Sequence, residues 1–450
     1  MSVRGSAPKR YRVSLINPPS AAGTLANREG AAGLGTVYTG DRTFLYPPHT
    51  LASVAATLHK AGHEVHLTDA VVDELSPDAL YADVIGVFVS CASLEADLTF
   101  LQSLHNVSSA RLVALGPAMR FVGPQVLARA RVDVWVGESE GFAAEALVAL
   151  KDSSGARIPR IWGAAEVQAA GCDADGWVTD LDALPFPAWD LLPVEQHTLL
   201  TVLASRGCPE RCAYCPYAAA QGHHFRARSL ESILGELAWL GERFRPARIV
   251  FRDPVFAYDY QRVLTLCEGI LKRRLRLRWE CESRPEHLDI DLLRLMQRAG
   301  CQWVKVGLET TDAGLLQRLR RVNSAEEAAA YLRHVAQVVN ACSEIGLNCR
   351  LFVMAGLPGQ DVTMADGTRQ FLTTLRPAAL NVKRYDSYPG LPVETTASAD
   401  ADAQLQVLQQ AQADIQRARS TPGPLARSKR WLRGVLPCLV DKTRHGGRHG

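Results

Sequence analysis

Short apolar runs alternate with helical patterns along almost the whole chain. In the first 150 residues, "RVSLINPP", "HEVHLTDA", "DVIGVFVSCAS", "RLVALGP" and "VDVWVGESEG" read as five strands. The last three are nearly continuous in apolar residues, the pattern of strands buried on both faces of a parallel sheet. "HTLASVAATLHKAG", "EADLTFLQSLHN" and "GPQVLARAR" carry the helical period between strands, and the first ends in the glycine that commonly follows a helix. Residues 1–150 are therefore predicted to form a doubly wound α/β domain, with any ligand beyond the carboxyl ends of its strands. Those ends carry Asn17, Pro18, Ser90, Ser93, Gly116, Gly137 and Glu138. The segment "GLGTVY" approaches the nicotinamide fingerprint, but it lacks the third glycine and does not follow a strand, which rejects that reading.

From 151 to 197 the period disappears and turn residues gather, ending in "LDALPFPAWDLLP", so a surface linker is expected. A second alternation follows. "LLTVLAS", "ARIVFRDPVF", "LRLRWECES", "WVKVGLET", "NCRLFVMAGLPG" and "ALNVKRYDSYPG" are strand patterns, the last five each preceded by a helical segment. Residues 198–390 are predicted as a (β/α) barrel or part of one, with function at the C-terminal strand ends. Ser229 is placed to cap the amphipathic run "LESILGELAWLGERF". Residues 391–450 read as an Ala/Gln-rich helix and a mobile basic tail.

Composition narrows the class. Hydrophobic residues make up 47% of the 450 and charged residues 22%, as in a globular protein, and a net charge of +3 does not argue for nucleic acid. No apolar run approaches the roughly 18 residues of a membrane span, and no signal-peptide pattern opens the chain, so a cytoplasmic protein is expected. Eleven cysteines at irregular spacing do not suggest a disulfide framework. Reduced thiols are expected, some of them metal ligands.

Three of those cysteines, Cys208, Cys212 and Cys215, fall within eight residues. A closed zinc site needs a fourth ligand, for which His223 and His224 are the nearest candidates. An iron–sulfur cluster held by three thiolates instead leaves one iron open to a substrate or cofactor. Gly207 and Pro209 suit a loop wrapped around such a cluster. Cys267, Cys281, Cys301, Cys342 and Cys349 fall in helices and strands and read as small core residues.

The CxxxCxxC spacing, with Tyr214 before its last cysteine and a strand before it, resembles the cluster loop of radical S-adenosylmethionine (SAM) enzymes. "IVFRDPVF", "VKVGLET" and "FVMAGLPG" resemble that family's later strand segments, so the resemblance covers roughly residues 198–390. It implies a partial barrel holding a 4Fe-4S cluster and SAM, with Tyr214, Asp253, Glu282, Arg284, Glu309 and Leu357 as SAM-site candidates. "INPP", "YPPHTLASVAATLHKAGHEV", "LGPAMRF" and "VDVWVGESEG" resemble the Rossmann-like domain of the cobalamin-dependent branch. That likeness implies cobalamin at the strand ends named above. The DxHxxG pattern is absent, so no histidine is expected beneath the cobalt.

By the same resemblance the protein reductively cleaves SAM and methylates an unactivated carbon of a small-molecule or peptide substrate, with an electron donor such as flavodoxin or ferredoxin. Alternatives are oxidative cyclisation as in a tetrapyrrole cyclase, a rearrangement, or a non-enzymatic zinc protein. Methylthiotransferases carry further N-terminal cluster cysteines, where this chain has only Cys91 and Cys172, and auxiliary clusters need more C-terminal cysteines than Cys438. No catalytic side chain is named by the sequence. Each polar candidate also has a plain alternative: an ion pair for Glu282 with Arg284 or for Glu309 with Lys305, a turn at Asp253 and Pro254, packing for Tyr385 and Tyr388, and a solvated basic face for His223, His224, Arg226 and Arg228.

Overall fold

A computed structural model describes residues 10–40, 42–151, 161–162, 177–388, 391–393 and 398–420. The basic stretch after Ser420, and with it Cys438, lies outside them, as do Cys172 and most of 152–176. Five parallel strands, β1 (Arg12–Asn17), β2 (Glu64–Asp69), β3 (Val84–Phe88), β4 (Arg111–Leu115) and β5 (Asp133–Trp135), form the first sheet. It has the order β2-β1-β3-β4-β5, and β6 (Ile161–Trp162) adds antiparallel at the edge.

The period of two sorts side chains to opposite faces of this sheet. Leu15, Phe88 and Leu115 pack with helices α1 (His49–Lys60) and α4 (Ala143–Lys151), whereas Ile16, Ile85 and Ala114 pack with α2 (Leu94–Leu104) and α3 (Met119–Ala130). The sheet is thus doubly wound. Helix α3 begins at Met119, earlier than its sequence pattern suggested, and carries Pro124 inside.

The second sheet has six parallel strands in chain order: β7 (Leu200–Val202), β8 (Ile249–Phe251), β9 (Trp279–Ser283), β10 (Cys301–Glu309), β11 (Asn348–Ala355) and β12 (Ala379–Arg384). Helices on its outer face begin with capping residues: Ser229, Asp259, Asp289, Asp312, Ser324 and Asp361 each accept from the backbone N–H three residues on. Each such cap stabilises its helix by about 1 kcal/mol. Along β11 burial alternates strictly: Cys349, Leu351, Val353 and Ala355 are buried under the helices. Asn348, Arg350, Phe352 and Met354 are only half-buried on the inner face.

Two segments pack differently from their sequence reading. The expected surface linker drives Trp189 fully into the core, where its ring meets His49 edge-on at 5.5 Å and Ala188 N–H donates to Ala52 O. The helix Ala401–Ser420 buries Leu408, Ala411 and Ile415 in the core shared with the second sheet. Its buried Gln404 accepts from Gly356 N–H and donates to Gln360 O, fixing the loop after β11.

The open edge of the partial barrel is met by the first half of the chain. Arg248 and Thr198 both donate to Thr43 O at 3.1 Å, His49 Nδ1 lies 3.0 Å from Thr201 Oγ1, and Tyr388 donates to Gly35 O.

Candidate functional site

The three-cysteine loop is closed at its neck. Ser205 and Arg206 pair antiparallel with Ala227 and Arg226, and Cys208 N–H donates to Gly222 O at 3.0 Å. Gly207 sits there at φ +77°, and a Cβ on it would lie 2.0 Å from His224 O, so only glycine fits. Helix α5 (Pro216–Gln221) starts directly after Cys215, with Pro216 in its first turn, where a missing N–H costs nothing. The loop's far side is held by Ala213 N–H donating to Leu319 O.

Cys208 and Cys212 are buried and Cys215 half-buried, all as free thiols. Burial pushes the Cys208 thiol up to about 11 and that of Cys215 up to about 12, each raised further by neighbouring thiols. Two cations face the loop. Arg284 Nη1 lies 3.8 Å and Arg321 Nη1 3.7 Å from Cys212 Sγ. Among the described residues, no three His, Cys, Asp or Glu side chains converge as ligands of one ion. His223 and His224 are exposed. This geometry does not favour a closed zinc site. It fits a cluster, in which each thiolate binds a different iron and no single ion has to be shared.

Arg321 is fixed by four partners: Tyr331 at 3.0 Å, Gly307 O at 3.1 Å, Tyr214 at 3.4 Å and Cys212. The sequence did not mark it, because it lies in the turn after the short helix Ala313–Arg318 rather than in a strand pattern. Glu309 does not pair with Lys305. A bulge between Gly307 and Glu309 turns it to φ +63°, and its carboxylate folds back over Gly307, where a Cβ would lie 2.3 Å from Oε1. Burial raises its pKa, while Arg321 and a hydrogen bond from Tyr214 oppose that shift. Leu357 is buried beside Tyr214, Met354 and Tyr385, an apolar wall at the same end of the barrel.

The other SAM-site candidates have structural partners. Glu282 and Arg284 do not pair with each other: Arg284 holds Glu210 at 2.5 Å and Glu286 at 2.6 Å, while Glu282 lies 3.7 Å from Lys305. Asp253 accepts from Ser205 Oγ at 2.5 Å and Ala204 N–H at 3.1 Å, tying β8 to the start of the cysteine loop. Burial pushes it up to about 6 against these hydrogen bonds. Nor are Arg226 and Arg228 a solvated face: Arg226 forks onto Glu138 at 2.7 and 2.8 Å, and Arg228 pairs with buried Glu236.

In the first half of the chain, Asn17, Pro18, Ser90 and Ser93 come together around one buried ion pair, Arg28 with Asp97 at 2.6 Å. Arg28 donates to Asn17 Oδ1 and Pro18 O; Ser90 N–H and Ser93 Oγ donate to Asp97. Gly116 is at φ +123°, with the Phe88 ring where a Cβ would stand. Gly137 and Glu138 lie apart from this group. They line a narrow, solvent-open crevice whose other wall includes Leu203, Arg206 and Arg252 of the barrel. Glu138 also lies 3.5 Å from Arg206, which itself holds Glu140 at 2.5 Å. The crevice contains His49 as well, which the sequence did not mark. Burial, then Arg206 and Arg252, keep its imidazole neutral well below the ordinary range.

Residues 202–372 match the sequence profile of the Radical SAM superfamily. The chain carries a radical SAM domain. Such a domain implies SAM and an iron–sulfur cluster, which agrees with the cysteine loop. Over 348 residues, 73% of each chain, it is 22% identical to an uncharacterized methyltransferase of Pyrococcus horikoshii. It is 25% identical over 362 residues to the hopanoid C-3 methylase of Methylococcus capsulatus, covering 76% of this chain and 67% of the relative. Its fold is similar to that of the radical SAM methyltransferase TsrM from Kitasatospora setae, solved with cobalamin and a [4Fe-4S] cluster bound. That likeness has a TM-score of 0.65 at 18% identity and covers 84% of this chain and 75% of that one. Among the described residues no helix is long and apolar enough to cross a membrane.

Proposed function

We propose that the protein is a cobalamin-dependent radical SAM methyltransferase. The observation that carries this reading is the three-thiol loop, pinned by a glycine neck and flanked by Arg284 and Arg321, at the barrel end that meets the strand-end loops of a doubly wound domain. Support also comes from the relatives named as methyltransferases and from the fold shared with TsrM. When bound, the cluster supplies the electron that cleaves SAM, and cobalamin carries the methyl group.

The chain's own residues divide the work. Cys208, Cys212 and Cys215 hold the cluster, and the two guanidiniums beside Cys212 offset the charge of its thiolate. Glu309, Tyr214 and the Gly307 backbone form the polar side of the SAM site, with Leu357 and Met354 as its apolar wall. Asp253 orients the loop through Ser205. Gly137 and Pro117 line the corrinoid crevice, while Asn17, Pro18, Ser90 and Ser93 act from behind through Arg28 and Asp97. The inner barrel face receives the substrate, and the packed linker excludes water.

The test is anaerobic reconstitution with hydroxocobalamin followed by methyl-labelled SAM. About one corrinoid should stay bound per chain and acquire label. If gel filtration strips all corrinoid from a brown, iron-loaded protein, the cobalamin reading is withdrawn.

A further inference from the structure

Parallel register aligns the inner-face residues of the barrel in rows. Glu282, Lys305 and Arg350 stand side by side; Gly307, Phe352 and Asn381 form the next row; Met354 and Lys383 follow toward the cysteine loop. The charges do not balance. Lys305 takes both acids, Glu280 at 3.0 Å and Glu282 at 3.7 Å, and Glu280 also has Arg248 at 3.7 Å. Arg252 is paired with Glu29 at 2.9 Å. Arg350 and Lys383 are left with no hydrogen bond or ion pair among the described residues.

Arg350 is nonetheless half-buried, its guanidinium between the ring of Trp303 at 4.7 Å and that of Phe44 at 5.1 Å. Burial lowers its pKa, and nearby Glu280 and Glu282 only partly offset that cost. Stacking fixes the plane of a guanidinium while leaving its N–H edge free to donate. Lys383 Nζ lies 5.3 Å from the Phe352 ring, and its charge reaches Glu309 at the SAM end of the lumen. Phe352 is two residues, about 7 Å, above Arg350 on the same face, so both cations can reach one group lying against that ring. Among the described residues neither cation has an ion-pair partner, and a held, partly desolvated guanidinium with an ammonium above it is the chemistry of carboxylate or phosphate recognition.

We propose that Arg350 and Lys383 form an anion-binding site on the inner face of the barrel, and that the substrate carries a carboxylate or phosphate anchored there. This rests on reading the lumen as the substrate chamber. The anchor would place a reacting carbon farther up the strands, toward Gly307 and Glu309, and would select against neutral substrates because an unfilled cation pair costs binding.

The test is titration calorimetry of the full-length protein with inorganic phosphate and, separately, succinate, at constant ionic strength made up with chloride. Saturable binding of either is expected, with at least a tenfold loss in Arg350→Gln and in Lys383→Gln. Lys383 is exposed, so its variant folds even if the other does not. Phosphate alone would point to a phosphate or phosphonate substrate, and succinate alone to a carboxylic acid. No saturable binding of either, or binding unchanged in both variants, overturns the proposal. Iron content and corrinoid retention, measured on the same preparations, report separately on the proposed function.

Discussion

Glu138 separates two roles that the same residue could play. As a strand-end residue it is a candidate corrinoid contact; in the structure its carboxylate grips Arg226 at the neck of the cysteine loop and reaches Arg206. Burial works against its charged form, and Arg206 and Arg226 outweigh that, holding its pKa below the usual carboxylate range. Glu138→Gln keeps the shape and removes the charge. Breaking a buried pair from one side costs about 3–5 kcal/mol. Arg226 keeps the carbonyls of Val178 and Gln221 and Arg206 keeps Glu140, so the lower end, about 3 kcal/mol, applies.

Urea unfolding of Glu138→Gln, Arg226→Gln and the double variant should show strong coupling, the double costing little more than either single. Amide exchange should speed up in residues 207–226, and iron should be lost faster to a chelator. Because the folded pKa of Glu138 is lowered, its contribution is present above the ordinary carboxylate range and vanishes as pH falls through the lowered value. Wild type and Glu138→Gln should therefore converge in acid. Additive stability losses with undisturbed exchange in the loop would refute the clamp.

Two further predictions concern the same loop. Gly207→Ala must adopt a left-handed conformation, costing about 1–2 kcal/mol, and must also push its Cβ away from His224 O, so cluster incorporation should fall severalfold, as read by bound iron per chain; full incorporation would show the neck is not required. Asp253, raised from 3.8 to about 6, favours the folded state while protonated in both states, and that advantage is lost as pH rises from about 4 through 6. The difference in unfolding free energy between wild type and Asp253→Asn should change by about 3 kcal/mol across that window, and a flat difference would place the ordinary carboxylate pKa at this site.

Fold class was legible because burial on both faces of a parallel sheet leaves near-continuous apolar runs, such as "VIGVF", which is buried at every position. The cysteine loop was legible because its spacing is local. What escaped the sequence was set by distant partners. Arg321 reaches Cys212 from 109 residues away, and Arg226 looked like part of a basic surface until Glu138, 88 residues before it, was placed opposite. Trp189 sits in a stretch of turn residues with no period, so its burial against α1 could not be read from its neighbours. The bulge that turns Glu309 toward Tyr214 breaks the strand's period of two, and the period alone had aligned it with Lys305.

The proposed function requires that Cys208, Cys212 and Cys215 hold a cluster with one iron open to SAM. Anaerobically prepared protein, reconstituted with iron and sulfide and reduced with dithionite, tests it by electron paramagnetic resonance before and after SAM is added. About four irons and four sulfides per chain are expected, with a reduced-cluster signal that shifts on adding SAM, and both iron and signal should be lost when the three cysteines are changed to Ala. A colourless protein holding one zinc per chain, or a cluster whose signal ignores SAM, would contradict it.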